Sequence, residues 1–178
     1  MMILTEDVWN AYFLALAAIL IFAVLSWCVS LIRRDVGIVD SLWSLFFLLA
    51  TVIYVALINN IGTRAICVLS LVTIWALRLS IHITWRNWGE PEDHRYQAIR
   101  RNQQPYFALK SLYIVFGLQG LLAWFISIPL LVAIANPAPL QLVDFLGVLL
   151  WFIGMIFEAG GDYQLARFKA NPQHQGKV

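Results

Sequence analysis

WALRLSIHITWRNWGEPEDHRY, residues 75–96, decides how the rest of this chain is read. It starts inside an apolar run, carries Arg78 among residues that belong in lipid, and ends in a mixed-charge segment that belongs in water. An arginine at the centre of a membrane helix costs about 2.5–3.5 kcal/mol on insertion scales, so Arg78 marks either an ion pair or a functional site.

Working outward, the 178 residues are 61% hydrophobic and only 12% charged, with a mean hydropathy of +0.77. Soluble domains carry about 25% charged residues, so the composition predicts an integral membrane protein. Apolar runs of about 20 residues, the length of a transmembrane helix, fill nearly all of it. The expected fold is therefore all-α: a multi-pass membrane bundle of about five helices, forming one membrane domain over 1–178. The spans are read at Val8–Ile32, Val36–Ile58, Ala65–Trp85, Tyr106–Ala135 and Leu140–Gly160. Asn59-Asn60 and Asn136-Pro137-Ala138-Pro139 read as turns, Pro129 as a kink, and Gly161 onward as a polar tail.

Ten basic residues fall on one side: Arg33, Arg34, Arg86, Arg95, Arg100, Arg101, Lys110, Arg167, Lys169 and Lys177. Arg64 alone falls on the other, so the basic side is expected in the cytosol, with the N-terminus outside. The location expected is a bacterial inner membrane. Glu6 and Asp7 precede the first span where a signal peptide has basic residues, so no cleaved leader is expected. A net charge of +2 gives no reason to invoke nucleic acid, and no Cys/His cluster points to a metal. Cys28 and Cys67 read as small core residues.

Asp40, Arg78, Glu158 and Asp162 are charges that hydropathy leaves unexplained, and they lie at similar depth near the basic side. Trp75, Arg78, His82 and Trp85 share a helical face, as do Asp40, Ser44 and Phe47, and Trp151, Met155, Glu158 and Asp162. The simplest account is a polar cavity on the basic side in which Arg78 faces one or more carboxylates. A buried Asp40–Arg78 pair that only fixes helix packing is the competing account. Gln119, in mid-span, reads as an interhelical hydrogen-bonding residue. Gly89–Tyr96 is either a plain loop, or its Arg95 and Tyr96, with Arg86 and Asn87, line the mouth of the cavity. Arginines there suit the phosphates of an anionic cofactor. No GxGxxG, GxxxxGK, GxSxG or HExxH occurs.

Three stretches together, RRDVGIVDSLW (33–43), WALRLSIHITWRNWGEPEDHRY (75–96) and FEAGGDYQLARFKANPQHQGK (157–177), resemble the DUF1295 family of membrane proteins. That family is related to the steroid 5-alpha-reductases and, more distantly, to sterol reductases and isoprenylcysteine methyltransferases. The resemblance implies NADPH as cofactor and reduction of a carbon–carbon double bond in a lipophilic substrate. It places Glu158, Asp162, Tyr163 and Lys169 at cofactor positions and matches Arg78 to an arginine of the family. The cofactor residues expected are those at the cofactor positions together with Arg86 and Arg95 of the cavity mouth, and the catalytic ones are Asp40 and Arg78. The steroid reductases pair a Tyr with a Glu from an earlier helix to polarise the substrate ketone. Trp75 stands at the Tyr position here, and Asp40 is the residue available for the Glu. Members continue into a Gly-Leu-Trp and an Arg-His-Pro-Asn-Tyr segment, so this chain is expected to be a C-terminally truncated member. A non-catalytic membrane protein and an S-adenosylmethionine-dependent methyltransferase stay open as alternatives.

Overall fold

The computed structural model describes residues 5–170, and Lys177 with the end of the third family stretch lies outside them. Five helices are long and apolar enough to cross a membrane: α1 (Glu6–Arg33), α2 (Ile38–Leu57), α3 (Thr63–Arg86), a composite fourth span (Phe107–Ile134) and a final helix, Leu142–Ala170. A short helix absent from the sequence reading, α4 (His94–Asn102), follows α3. The fourth span divides into α5 (Phe107–Ser111), a π-helical turn (Leu112–Gly117), α6 (Leu118–Ile126) and α7 (Ile128–Ile134); the final helix is α8. No strand occurs among the described residues. The chain separates into two compact units, one up to Pro139 and one from Leu140.

In the first unit α2 is the central helix, touching α1, α3, α6 and α7. Lipid is as apolar as leucine, so these helices gain from close backbone approach and from interhelical hydrogen bonds more than from burying apolar surface. The buried positions of α1 show it: Ala11, Ala15, Ile19, Ala23, Ser26 and Ser30 form a mostly small-residue stripe, while Phe13, Ile21, Leu25 and Ile32 point outward. Gly120 of α6 meets that stripe, and a Cβ there would come 3.1 Å from Ile19 Cγ2 and 3.7 Å from Ala23 Cβ. Gly120→Leu therefore forces the two helices apart and costs about 1–3 kcal/mol. Thermal unfolding of the variant in detergent checks this, and an unchanged midpoint refutes it.

Polar stitches complete the packing. Ser44 Oγ donates to the Ala76 carbonyl at 2.8 Å, joining α2 to α3. The Tyr54 and Ser127 hydroxyls share a buried 2.7 Å hydrogen bond. Trp27 Nε1 donates to the Ala108 carbonyl at 2.8 Å and Trp124 Nε1 to the Tyr12 carbonyl at 2.9 Å. Ser127 is also where the fourth span breaks: α6 ends there, and Pro129 sits in the first turn of α7. A proline has no N–H to give and crowds the carbonyl four residues back, so the expected kink becomes a helix boundary two residues before it.

The turns fall where the asparagines and prolines placed them. Gly62 caps α3 against the second turn, where a Cβ would lie 2.9 Å from the Pro137 carbonyl oxygen. The last helix outruns the span read for it: α8 continues past Gly160 to Ala170, so the described part of the polar tail is helical. Hydropathy marks only how far a segment can sit in lipid, whereas Gln, Leu, Ala, Arg and Lys are all good helix formers.

Candidate functional site

At one end of the first unit, α1 ends, α2 begins and α3 passes into α4. Arg33 closes α1, Arg34 adopts a left-handed conformation (φ 54°), and its N–H bonds the Ser30 carbonyl. Asp35 then turns the chain, its Oδ1 accepting the Gly37 N–H at 2.8 Å. These local bonds bring Asp40 into the first turn of α2.

The segment after α3 folds back onto that turn. Asp93 caps α4 by accepting the Arg95 N–H at 2.8 Å, the usual role of an aspartate before a helix. The cap aims two side chains at Asp40. Tyr96 donates its hydroxyl to Asp40 Oδ1 at 2.5 Å, and Arg95 donates to Asp40 Oδ2 at 3.0 Å. Tyr96 is buried (6% exposed), and a Cβ on Gly37 would lie 3.5 Å from its ring. Gln119 Nε2 approaches the Tyr96 oxygen at 3.5 Å from the fourth span, two residues beyond the π-helical turn. The interhelical bonding expected of Gln119 is thus present. Burial, and then the hydrogen bond to and charge of Asp40, push the Tyr96 hydroxyl well above its ordinary value. Tyr96 is therefore a neutral group with a proton to give, and no base.

A second clamp lies next to the first. Glu92 Oε1 accepts the Val36 N–H at 2.9 Å, and its two oxygens take Arg100 Nε at 2.9 Å and Nη2 at 2.7 Å. Arg100 also lies 4.6 Å over the Phe107 ring. Partial burial works against ionisation of Glu92, but the Arg100 and Val36 hydrogen bonds and the Arg100 charge outweigh it and lower its pKa.

These contacts revise the sequence expectations. The structure places the guanidinium of Arg95, at a position read as part of a cavity mouth, on Asp40. Arg95 is also held by Asp93 at 3.1 Å, so its guanidinium meets two carboxylates. Arg86 is exposed and donates through Nε to Asn87 Oδ1; among the described residues its terminal nitrogens make no hydrogen bond. Arg78 and His82 are half-buried on α3; Trp75 packs edge-on against Phe47 of α2, with ring centroids 5.8 Å apart. Ser44, expected on the Asp40 face, is consumed by its bond to α3. Glu158 and Asp162 sit one turn apart on α8, half-buried, and Tyr163 and Lys169 are exposed on the same helix. Arg167 lies 5.8 Å over the Tyr163 ring. The structure thus joins Asp40 with Arg95 in the first unit and carries Glu158, Asp162, Tyr163 and Lys169 on one helix of the second.

Sequence reasoning left out Glu92 and Arg100, and it placed Tyr96 at the site without naming its partner. The one signal for α4 was Asp93 ahead of HRYQAIRRN, an N-cap before a helix-compatible run. Among the described residues no group of three or more His, Cys, Asp or Glu is arranged to hold a metal ion.

No curated protein and no solved structure matches the chain. The family described as "Protein of unknown function (DUF1295)" matches residues 26–178. That match takes in α2, α3, α4 and both carboxylate clamps, and the chain belongs to the DUF1295 family.

Proposed function

We propose that this chain is a membrane reductase that uses NADPH to reduce a carbon–carbon double bond conjugated to a carbonyl in a lipophilic substrate. The observation that carries the reading is the buried Tyr96 hydroxyl hydrogen-bonded to Asp40 on an earlier helix. These are the two kinds of group, a phenol and a carboxylate, by which the resembled steroid reductases polarise a ketone. Tyr96 supplies the phenol that the Trp75 position lacks.

NADPH, when bound, supplies the hydride. The chain's residues do the rest: on substrate binding Tyr96 turns its one O–H from Asp40 to the substrate carbonyl oxygen and protonates the enolate oxygen formed as hydride adds at the β-carbon. The enol then takes a proton from water at the α-carbon and loses the O–H proton, leaving the saturated ketone. Asp40 holds the phenol in place and lies at the edge of water, its side chain 22% exposed, from which the phenol is reprotonated. Arg86 has the free guanidinium nitrogens a phosphate needs. Arg95 belongs in this reading to the orientation of Asp40. Glu158, Asp162, Tyr163 and Lys169 remain the residues proposed for the rest of the cofactor, and Arg78 for catalysis. By the excess of basic residues at the α3–α4 end, that end faces the cytosol.

Purified chain in lipid nanodiscs, titrated with NADPH and supplied with long-chain alkyl cyclohexenones, is expected to bind the cofactor saturably and to oxidise it only when an enone is present. Absence of saturable binding refutes the proposal.

A further inference from the structure

The α1–α2 turn and the α3–α4 connection face each other across a cavity of about 500 Å³. That size suits a small ligand, and Asp40, Arg95 and Tyr96 are not among its lining residues. Its charged lining is Arg33, Arg34, Asp35, Glu90 and Glu92, and Trp88 of the α3–α4 connection also lines it. Two of the carboxylates are engaged: Glu92 by Arg100 and the Val36 N–H, Asp35 by the Gly37 N–H. Arg33, Arg34 and Glu90 are exposed and form no ion pair among the described residues. The cavity therefore offers two guanidiniums, the carboxylate of Glu90, and that of Asp35, whose charge the Gly37 N–H does not cancel. Around it the surface is apolar and aromatic: Ile32 is 83% exposed, Trp85 68% and Trp88 74%. Exposed indoles mark the level of the lipid headgroups, so the cavity opens where headgroups lie.

We propose that this cavity binds the headgroup of a phosphoethanolamine lipid from the surrounding bilayer. The phosphate meets Arg33 and Arg34, whose planar guanidiniums suit two-point contact with phosphate oxygens. The primary ammonium meets Glu90 and the face of Trp88. The acyl chains run beside Ile32 and Trp85. Charge selects this headgroup. A glycerol headgroup leaves Glu90 facing a net negative ligand with nothing to offset it. A choline headgroup has no N–H to donate. The cavity adjoins the Asp40–Tyr96 pair without including it, and the inference needs no catalysis.

The test is the melting midpoint of the full chain, followed by tryptophan fluorescence, in nanodiscs of phosphatidylcholine alone or with an equal added share of phosphatidylethanolamine or phosphatidylglycerol. Phosphatidylethanolamine is expected to raise the midpoint by several degrees, and phosphatidylglycerol by less. Glu90→Gln should bring the two responses together while melting normally in phosphatidylcholine, and Arg33→Gln with Arg34→Gln should remove both. Equal midpoints in the three lipids overturn the proposal, as does a phosphatidylglycerol midpoint above that in phosphatidylethanolamine. A Glu90→Gln protein that keeps the full phosphatidylethanolamine response overturns it too, because the response then belongs to the bilayer and not to the cavity.

Discussion

Glu92→Ala is expected to cost about 2–3 kcal/mol of stability, read as a fall in the denaturation midpoint of the chain in detergent at neutral pH. Glu92 is only 11% exposed, and its removal leaves the Arg100 guanidinium and the Val36 N–H with their partner gone. Breaking a fully buried pair costs about 3–5 kcal/mol. Arg100 is 35% exposed, so water recovers part of that, which sets the lower figure. The same residue predicts a pH dependence. Its pKa is lowered in the folded chain, so its contribution is complete above the ordinary glutamate value of about 4.3 and is lost as pH falls through the depressed folded value. The gap between wild type and Glu92→Ala should therefore narrow in acid and be constant from neutral pH upward. A gap that persists undiminished in strong acid would show that the charge of Glu92 is not what holds the segment.

That clamp illustrates what could be read from the chain and what could not. The spans were legible because lipid demands an unbroken apolar run, and the small stripe Ala11, Ala15, Ala23 on α1 follows helical spacing. Asn59-Asn60 and Pro129 act on the backbone beside them, so their effects were legible as well. The π-helical turn before Gln119 left no such mark, because Leu112–Gly117 is apolar whichever way it winds. Asp40 stands out in the sequence as a charge within an apolar span. The reading that faces it with Arg78 compares depths along spans, a method that considers only residues inside them. The partners bonded to it, Arg95 and Tyr96, lie 55 and 56 residues away in a segment that folds back, and only the tertiary structure supplies that register. Glu92 and Arg100 were missed for the same reason. Mixed charges over Gly89–Tyr96 describe a solvated loop as well as they describe two clamps.

Tyr96→Phe is expected to lower the rate of NADPH-dependent enone reduction by about 10²–10⁴, the usual contribution of one positioned proton donor, with little change in NADPH affinity. The substitution deletes a single oxygen. The ring stays in its buried place beside Gly37, and Asp40 keeps the Arg95 guanidinium at 3.0 Å. What disappears is the neutral hydroxyl, whose raised pKa keeps it protonated at neutral pH. Asp40→Asn separates chemistry from packing. Asparagine still accepts the phenol's hydrogen bond through its amide oxygen, but it cannot pass a proton from water to the phenol. Its rate should therefore fall at alkaline pH more than at neutral pH, while Tyr96→Phe is depressed at every pH. If Tyr96 and Asp40 only brace α4 against α2, both variants will melt earlier and yet turn over normally once folded protein is matched. A normal rate in folded Tyr96→Phe removes the proton donor from the proposed reaction, and the Asp40–Tyr96 bond is then a packing contact between α2 and α4.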